Sequence, residues 1–362
     1  MKRRGFLQGA AGLAAVGAAG AWGWRRATGS MRDYESYGAA LRAKLGPSPE
    51  ARELVRYATL APNGHNTQPW RFRLGENVIG IEPDLSRATP AVDPDDHHLY
   101  VSLGSAVETL GIAAAATGWP GTVEGAETGA PRYVYAAGAA RPDVLFEAIP
   151  QRQSTRAPFD GREIPLPDLR GLETAAQVPG VGVTLLTERS QIARVRDLVL
   201  AGNDTQMADP AFMAELKHWL RFNPAEAMAR GDGLFSASSG NPVLPSALGG
   251  VAYELFFKAE TERESYARQM QTASGVAVFT GEREDKAHWI AVGQASLRFA
   301  LAVTARGLRC SYVNQPVEVA ALRPELAAIA GVTGKRPDLV MRFGYGPTLP
   351  FSPRRPVGSV LI

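Results

Sequence analysis
Three stretches of this chain carry residue types that do chemistry rather than fill a core. Residues 152–156 read Arg-Gln-Ser-Thr-Arg. Two guanidiniums flank a hydroxyl there. Arginine offers a planar fork of donors, which suits phosphate oxygens, and a serine adds a further donor. Alone, the stretch is equally a solvated surface pair. Residues 61–70 read Ala-Pro-Asn-Gly-His-Asn-Thr-Gln-Pro-Trp, between a helical run and a strand. Asn, Gly and Pro are ordinary turn formers, so this decapeptide alone is equally a plain loop. Residues 344–356, "GYGPTLPFSPRRP", leave a strand and present Arg354 and Arg355 on a Pro-rich tail.

Other candidates carry less. "DPDDHH" (93–98) places acids at a helix start beside two imidazoles that read as exposed. Helix capping accounts for it without a metal. The single cysteine, Cys310, permits no intrachain disulfide and no zinc site on paired cysteines; in "GLRCSYV" it reads as a small buried hydrophobe. No Ser-His-Asp set stands out, and no G-x-G-x-x-G follows a strand.

The elements that must position these residues follow from pattern. The 362 residues are 45% hydrophobic, enough for one large or two ordinary domains. The net charge of +3 comes from Lys2, Arg3, Arg4, Arg25 and Arg26; the remainder is net acidic, with no basic stripe for nucleic acid. "KRRGFLQ" and the Ala/Gly-rich run after it read as a twin-arginine export signal and linker over 1–30, cleaved or kept as an anchor. This predicts a periplasmic or outer-face location. A helix is predicted over 48–60, with Ser48 as cap and Pro49 in the first turn. Strands "WRFRL" and "VIGIE", a long helix over 97–117 and a strand at 132–137 complete a first half, 31–144. A second half, 145–362, repeats a long helix near 285–306, then "RCSYV", a helix "VEVAALRPELAAIAG" and a strand "DLVMRFGYG". Gly104, Ala106, Ala113 and Gly118 recur at one constant offset as Gly293, Ala295, Ala302 and Gly307. That is a repeat of two closely packed central helices. Residues 222–250, rich in Gly, Ser and Pro with isolated apolar anchors, read as a lid.

Taken together, "RQSTR", "APNGHNTQPW", the helix "GQASLRFALAVTARGL" and "GYGP…SPRRP" resemble the nitroreductase-like FMN-binding family over about residues 48–356. The resemblance implies an α+β fold with mixed or antiparallel sheets flanked by helices. It implies FMN as cofactor. Arg152, Ser154 and Arg156, with Arg354 or Arg355, would hold its phosphate and pyrimidine edge. Pro62, Asn63, Gly64 and Asn66 would line the ring system, and Asn314 and Gln315 would pass its N5 edge. Two departures stand out. The loop motif precedes the phosphate motif, and neither recurs in the other half. The chain thus resembles the two-lobed Acg-type branch, a fused pseudo-dimer with one composite site and a lid. Asn63-Gly64 also replaces the family's frequent Ser-Ser. The implied activity is an FMN-dependent oxidoreductase passing electrons from a reductant to a nitroaromatic, quinone or similar small acceptor. The alternative is a flavin-binding or storage protein with little turnover.

Overall fold
The computed structural model describes residues 23–362, so the twin-arginine motif lies outside the described residues. The strands are β1 (Trp70–Gly75), β2 (Val78–Pro83), β3 (Gly121–Glu124), β4 (Arg132–Tyr135), β5 (Val181–Leu186), β6 (Leu220–Arg221), β7 (Leu234–Phe235), β8 (Gly275–Gly281), β9 (Arg309–Tyr312) and β10 (Leu339–Gly344). Two four-stranded sheets form, ordered β1-β2-β4-β3 and β5-β8-β10-β9, with every neighbour antiparallel. The short β6–β7 pair is parallel. Helices pack on both sheets, so the fold is α+β.

The two sheets share one topology. In each half the strands stand in the order first, second, fourth, third, and a twenty-residue helix joins the second strand to the third. These helices, His97–Ala116 and Lys286–Ala305, cross at the centre of the molecule. A Cβ on Gly104 would lie 2.0 Å from the Ile290 carbonyl oxygen, and one on Gly293 would lie 2.0 Å from that of Val101. Ile290 stands to Val101 as Gly293 stands to Gly104. The crossing is therefore two-fold in its contacts, and only glycine allows such backbone approach. The helix His97–Ala116 is long and apolar enough to span a membrane by length and composition, but it is packed inside this core.

Patterning explains the layers. In β1, Trp70 and Phe72 point inward and Arg71 and Arg73 outward, as period-two alternation requires. β8 and β10 are buried on both faces; β8 is apolar up to Thr280, and β10 is apolar but for the buried Arg342. One face meets the central helices. The other meets a second core built on Val195, Val199, Met270 and Leu326.

Local readings needed two corrections. The first helix runs Ala51–Ala58 with Glu50 at its N-cap, while Ser48 sits left-handed at φ 46°. Pro49 disfavours a helical residue before it. "VEVAALRPELAAIAG" is not one helix but Gln315–Glu318 and Arg323–Ile329, and Pro324 opens the second because it lacks an N–H. Residues 222–250 hold the helix Pro224–Arg230, β7 and a 3-10 turn at Ser236–Ser239, and the helix Ser246–Phe256 begins within them.

Candidate active site
A cavity of about 200 Å³ opens between the halves, and an inner chamber of about 40 Å³ adjoins it. Pro62, Asn63, Ser154, Arg156 and Leu234 line both. Gly64, Asn314 and Gln315 line the larger space only. Asn66, Arg152 and Arg354 line the inner chamber. Of the residues the resemblance assigns to the cofactor, Arg355 alone lies outside. It donates to the Gln68 and Ser359 carbonyls and faces Asp84.

The "RQSTR" segment is held as an extra edge of the second sheet. Ser154 bridges to Cys310 of β9, and the Thr155 N–H donates to the Cys310 carbonyl at 2.9 Å. Fully buried Arg342 supports it from beneath, donating to the carbonyls of Thr155 (2.8 Å) and Ala157 (3.0 Å). The tail reaches the same place because the helix Met31–Leu41 clamps it: Tyr34 Oη donates to the Phe351 carbonyl, and Tyr37 Oη to that of Arg354.

The amides of the decapeptide do something other than face a ligand. Asn63 Oδ1 accepts the Gln68 N–H at 2.8 Å. Asn66 Nδ2 donates to the carbonyls of Gly233 and Pro353, both at 3.0 Å, and its Oδ1 accepts from Arg354 at 2.8 Å. Gln68 donates to the Gly231 carbonyl at 2.8 Å and accepts the Arg355 N–H at 2.9 Å. His65, Asn66 and Gln68 take φ of 44°, 54° and 54°, a left-handed run that buried side-chain bonds must hold. The loop is thus a staple joining the first half, the 222–250 segment and the tail. Asn66 does not offer its amide to the cavity, because that amide is fully occupied. Asn66→Ala leaves the buried Gly233 carbonyl and a guanidinium N–H without partners, takes one of two donors from the Pro353 carbonyl, and strains a left-handed alanine. It should cost about 3–4 kcal/mol in urea unfolding, and Asn66→Gly should recover about 1 kcal/mol of that.

The cavity is polarised. Arg42, Arg152, Arg156 and Arg354 ring the inner chamber, and no carboxylate among the described residues lines it. Arg354 is spent on the Thr59, Leu60 and Ala61 carbonyls at the end of the helix Ala51–Ala58, and Arg152 also holds Leu60. Arg42 differs: its Nε and Nη1 are buried with no hydrogen-bond partner, and its plane lies 3.9 Å over the Phe351 ring. Burial and then the neighbouring Arg152 charge bring Arg42 down to about 9, so it stays cationic at neutral pH. Nothing in the sequence around Arg42 marked it; the signal is visible only once the fold brings 42, 152 and 354 together. The opposite end holds Glu318 and His98, with the cavity walls Val92, Phe212 and Leu216. Two further polar atoms stand buried and unpaired along the cavity, His65 Nδ1 and the acceptor Gln315 Oε1.

Of the acids of "DPDDHH", Asp93 caps the helix, Asp95 pairs with Arg336 and Asp96 makes no side-chain cap bond. The two imidazoles are buried, fully for His97 and largely for His98, rather than exposed, because the central core closes over them. Asp93 accepts the His98 and Leu99 N–H groups, both at 3.0 Å, while His97 Nε2 meets Asp338 at 2.8 Å. The His65 imidazole sits on the left-handed turn of the loop. Burial, then the Arg156 and His98 charges, lower it to about 4, so it is neutral at pH 7. A base whose folded pKa is depressed contributes stability above its unfolded value of 6.5 that is lost as pH falls toward 4. The loss amounts to about 3 kcal/mol at most. Thermal melts of His65→Asn, which tolerates the left-handed backbone, should therefore fall less steeply over that range than those of the wild type.

No family model matches the chain. It is 26% identical over 338 residues to a Mycobacterium tuberculosis protein provisionally named NAD(P)H nitroreductase Rv3131, covering 89% of this chain and 94% of that one. A second M. tuberculosis protein, provisionally named NAD(P)H nitroreductase acg, is 24% identical over 338 residues, covering 85% and 94%. Among solved structures, the FMN-dependent nitroreductase NfnB of Mycobacterium smegmatis, in complex with NADPH, aligns with 56% of this chain and 87% of its own at 15% identity and a TM-score of 0.39. The chain is thus similar, along most of its length, to proteins of the nitroreductase-like kind.

Proposed function
We propose that this chain is an FMN-dependent oxidoreductase of the nitroreductase-like family, passing electrons from a reductant to a nitroaromatic, quinone or similar acceptor. One observation carries the reading most: a chamber ringed by arginines, with the unpartnered Arg42 among them, opens into a larger space with unpaired polar atoms along its wall. Arg42, Arg152, Ser154 and Arg156 would hold the phosphate, which needs several strong donors. Gln315 Oε1 and the backbone of Pro62–Gly64 would meet the ring system, whose polar edge carries an N–H for an acceptor. When bound, FMN supplies reversible two-electron chemistry, and the protein supplies orientation and electrostatics. Relatives carrying nitroreductase names over nearly the whole chain support the same reading.

The halves form a pseudo-dimer with one composite site: the loop comes from 31–144, the phosphate segment and tail from 145–362. The shared strand order and the two-fold glycine crossing support this. The twin-arginine pattern supports a location on the outer side of the membrane. The 222–250 segment, through Leu234 and its bonds to Asn66 and Gln68, serves as the cover. That tight cover also favours the second reading, a storage protein with little turnover. Mixing flavin-loaded protein with a reductant separates the two. Bleaching of the flavin that turns over with acceptor supports the enzyme. A flavin that stays oxidised with every reductant tried, even after deletion of 236–245, supports storage.

A further inference from the structure
The end of the cavity away from the inner chamber has its own chemistry. Glu318 is 18% exposed, and its Oε2 accepts from Gln206 Nε2 at 2.6 Å. Its Oε1 lies 3.9 Å from Nδ1 of His98, which is 11% exposed and stands 3.9 Å from Asp93. Arg156 is the arginine lining this space among the described residues, and it faces the His65 imidazole and the Tyr266 phenol. The remaining charged and titratable neighbours are Glu215, which holds the Ala91 and Val92 N–H groups, and the Tyr266 phenol. Apolar Phe212 and Leu216 complete the wall.

An anion would meet the Glu318 carboxylate with Asp93 and Glu215 behind it, against Arg156 along the same wall, so this end disfavours charged oxyanions. A flat uncharged ring fits the apolar wall. A carboxylate beside an imidazole in a dry pocket can take up or release a proton. We propose that this chamber binds an uncharged hydroquinone as the electron donor and that Glu318, paired with His98, takes its proton; the proposal rests on FMN being bound next to it. Each hydroquinone oxidised to quinone loses two electrons and two protons. Both electrons and one proton pass as a hydride equivalent to the flavin, and the other proton goes to the Glu318 carboxylate and on to solvent. Burial holds the Glu318 carboxyl above the usual carboxylate range, with the neighbouring acids adding to this and His98 and Gln206 opposing it. The rate of proton uptake should therefore rise with pH through that raised pKa.

The test uses duroquinol and NADPH as donors, and duroquinone as a binding probe, on full-length flavin-loaded protein. Duroquinol should bleach the flavin faster than NADPH at equal concentration. Glu318→Gln, nearly isosteric, should slow bleaching by duroquinol on the order of 10²-fold and remove the rising limb of its pH profile. His98→Gln should shift that limb upward. The spectral perturbation produced by duroquinone in the oxidised protein reports binding without turnover and should persist in Glu318→Gln. NADPH matching duroquinol, or Glu318→Gln leaving rate and pH profile unchanged, would overturn the inference while a bound flavin left the cofactor reading intact. Protein that takes up no flavin would overturn both.

Discussion
Replacing Arg42 by alanine should weaken FMN binding about 10- to 100-fold, the effect of removing one charge-assisted donor set worth about 1.5–3 kcal/mol. The arginines around the chamber differ in how many of their donors are already used. Arg354 donates to four backbone carbonyls and Asn66, and Arg152 donates to Leu60. Arg42 has buried N–H groups with nothing to bind, which is costly unless a ligand satisfies them. Its removal also relieves repulsion with Arg152 and Arg354 in the ligand-free protein. Stability without FMN should then hold or rise while affinity falls, a pairing that a purely structural arginine would not show. Arg355→Ala should leave affinity unchanged, since Arg355 faces Gln68, Ser359 and Asp84. Fluorescence titration of the apoprotein with FMN measures both. Equal loss in the two variants would count against the assignment.

Gly104→Ala and Gly293→Ala should each destabilise the protein by about 3 kcal/mol or more, because overpacking forces two backbones apart. Each new methyl would sit 2.0 Å from a carbonyl oxygen of the opposing helix. Neither oxygen belongs to a side chain that can swing aside. The two contacts are equivalent, so the two losses should match. Gly111→Ala, on the same helix as Gly104, meets only the edge of the Tyr133 ring at 3.3 Å. Its better helix propensity, about 1 kcal/mol, should offset that contact. Chemical denaturation of the three variants checks the account. A mild Gly104→Ala, or one unlike Gly293→Ala, would contradict the two-fold crossing.

The sequence made the central elements legible because they carry strong local signals. Both long helices ended within a residue or two of their predicted bounds, since continuous apolar runs ending at Gly118 and Gly307 leave little choice. Gly104 and Gly293 stood out for the same reason: close packing demands small residues. The role of "APNGHNTQPW" was less legible. Composition showed amides but not their partners, Gly231, Gly233 and Pro353, which lie far along the chain. Arg42 and Glu318 were not legible at all. Each is an ordinary charged residue in a helix end or short turn, and its meaning comes from what folding sets beside it. The choice between Arg354 and Arg355 likewise needed the turn of the tail, which aims adjacent side chains in different directions.

The central claim is one composite flavin site per chain. The most direct test is to purify the chain without residues 1–30, record its visible spectrum, and identify and count the chromophore released on denaturation. The account predicts FMN at one per chain. Two per chain would contradict the single composite site, and none after incubation with FMN would contradict the cofactor itself.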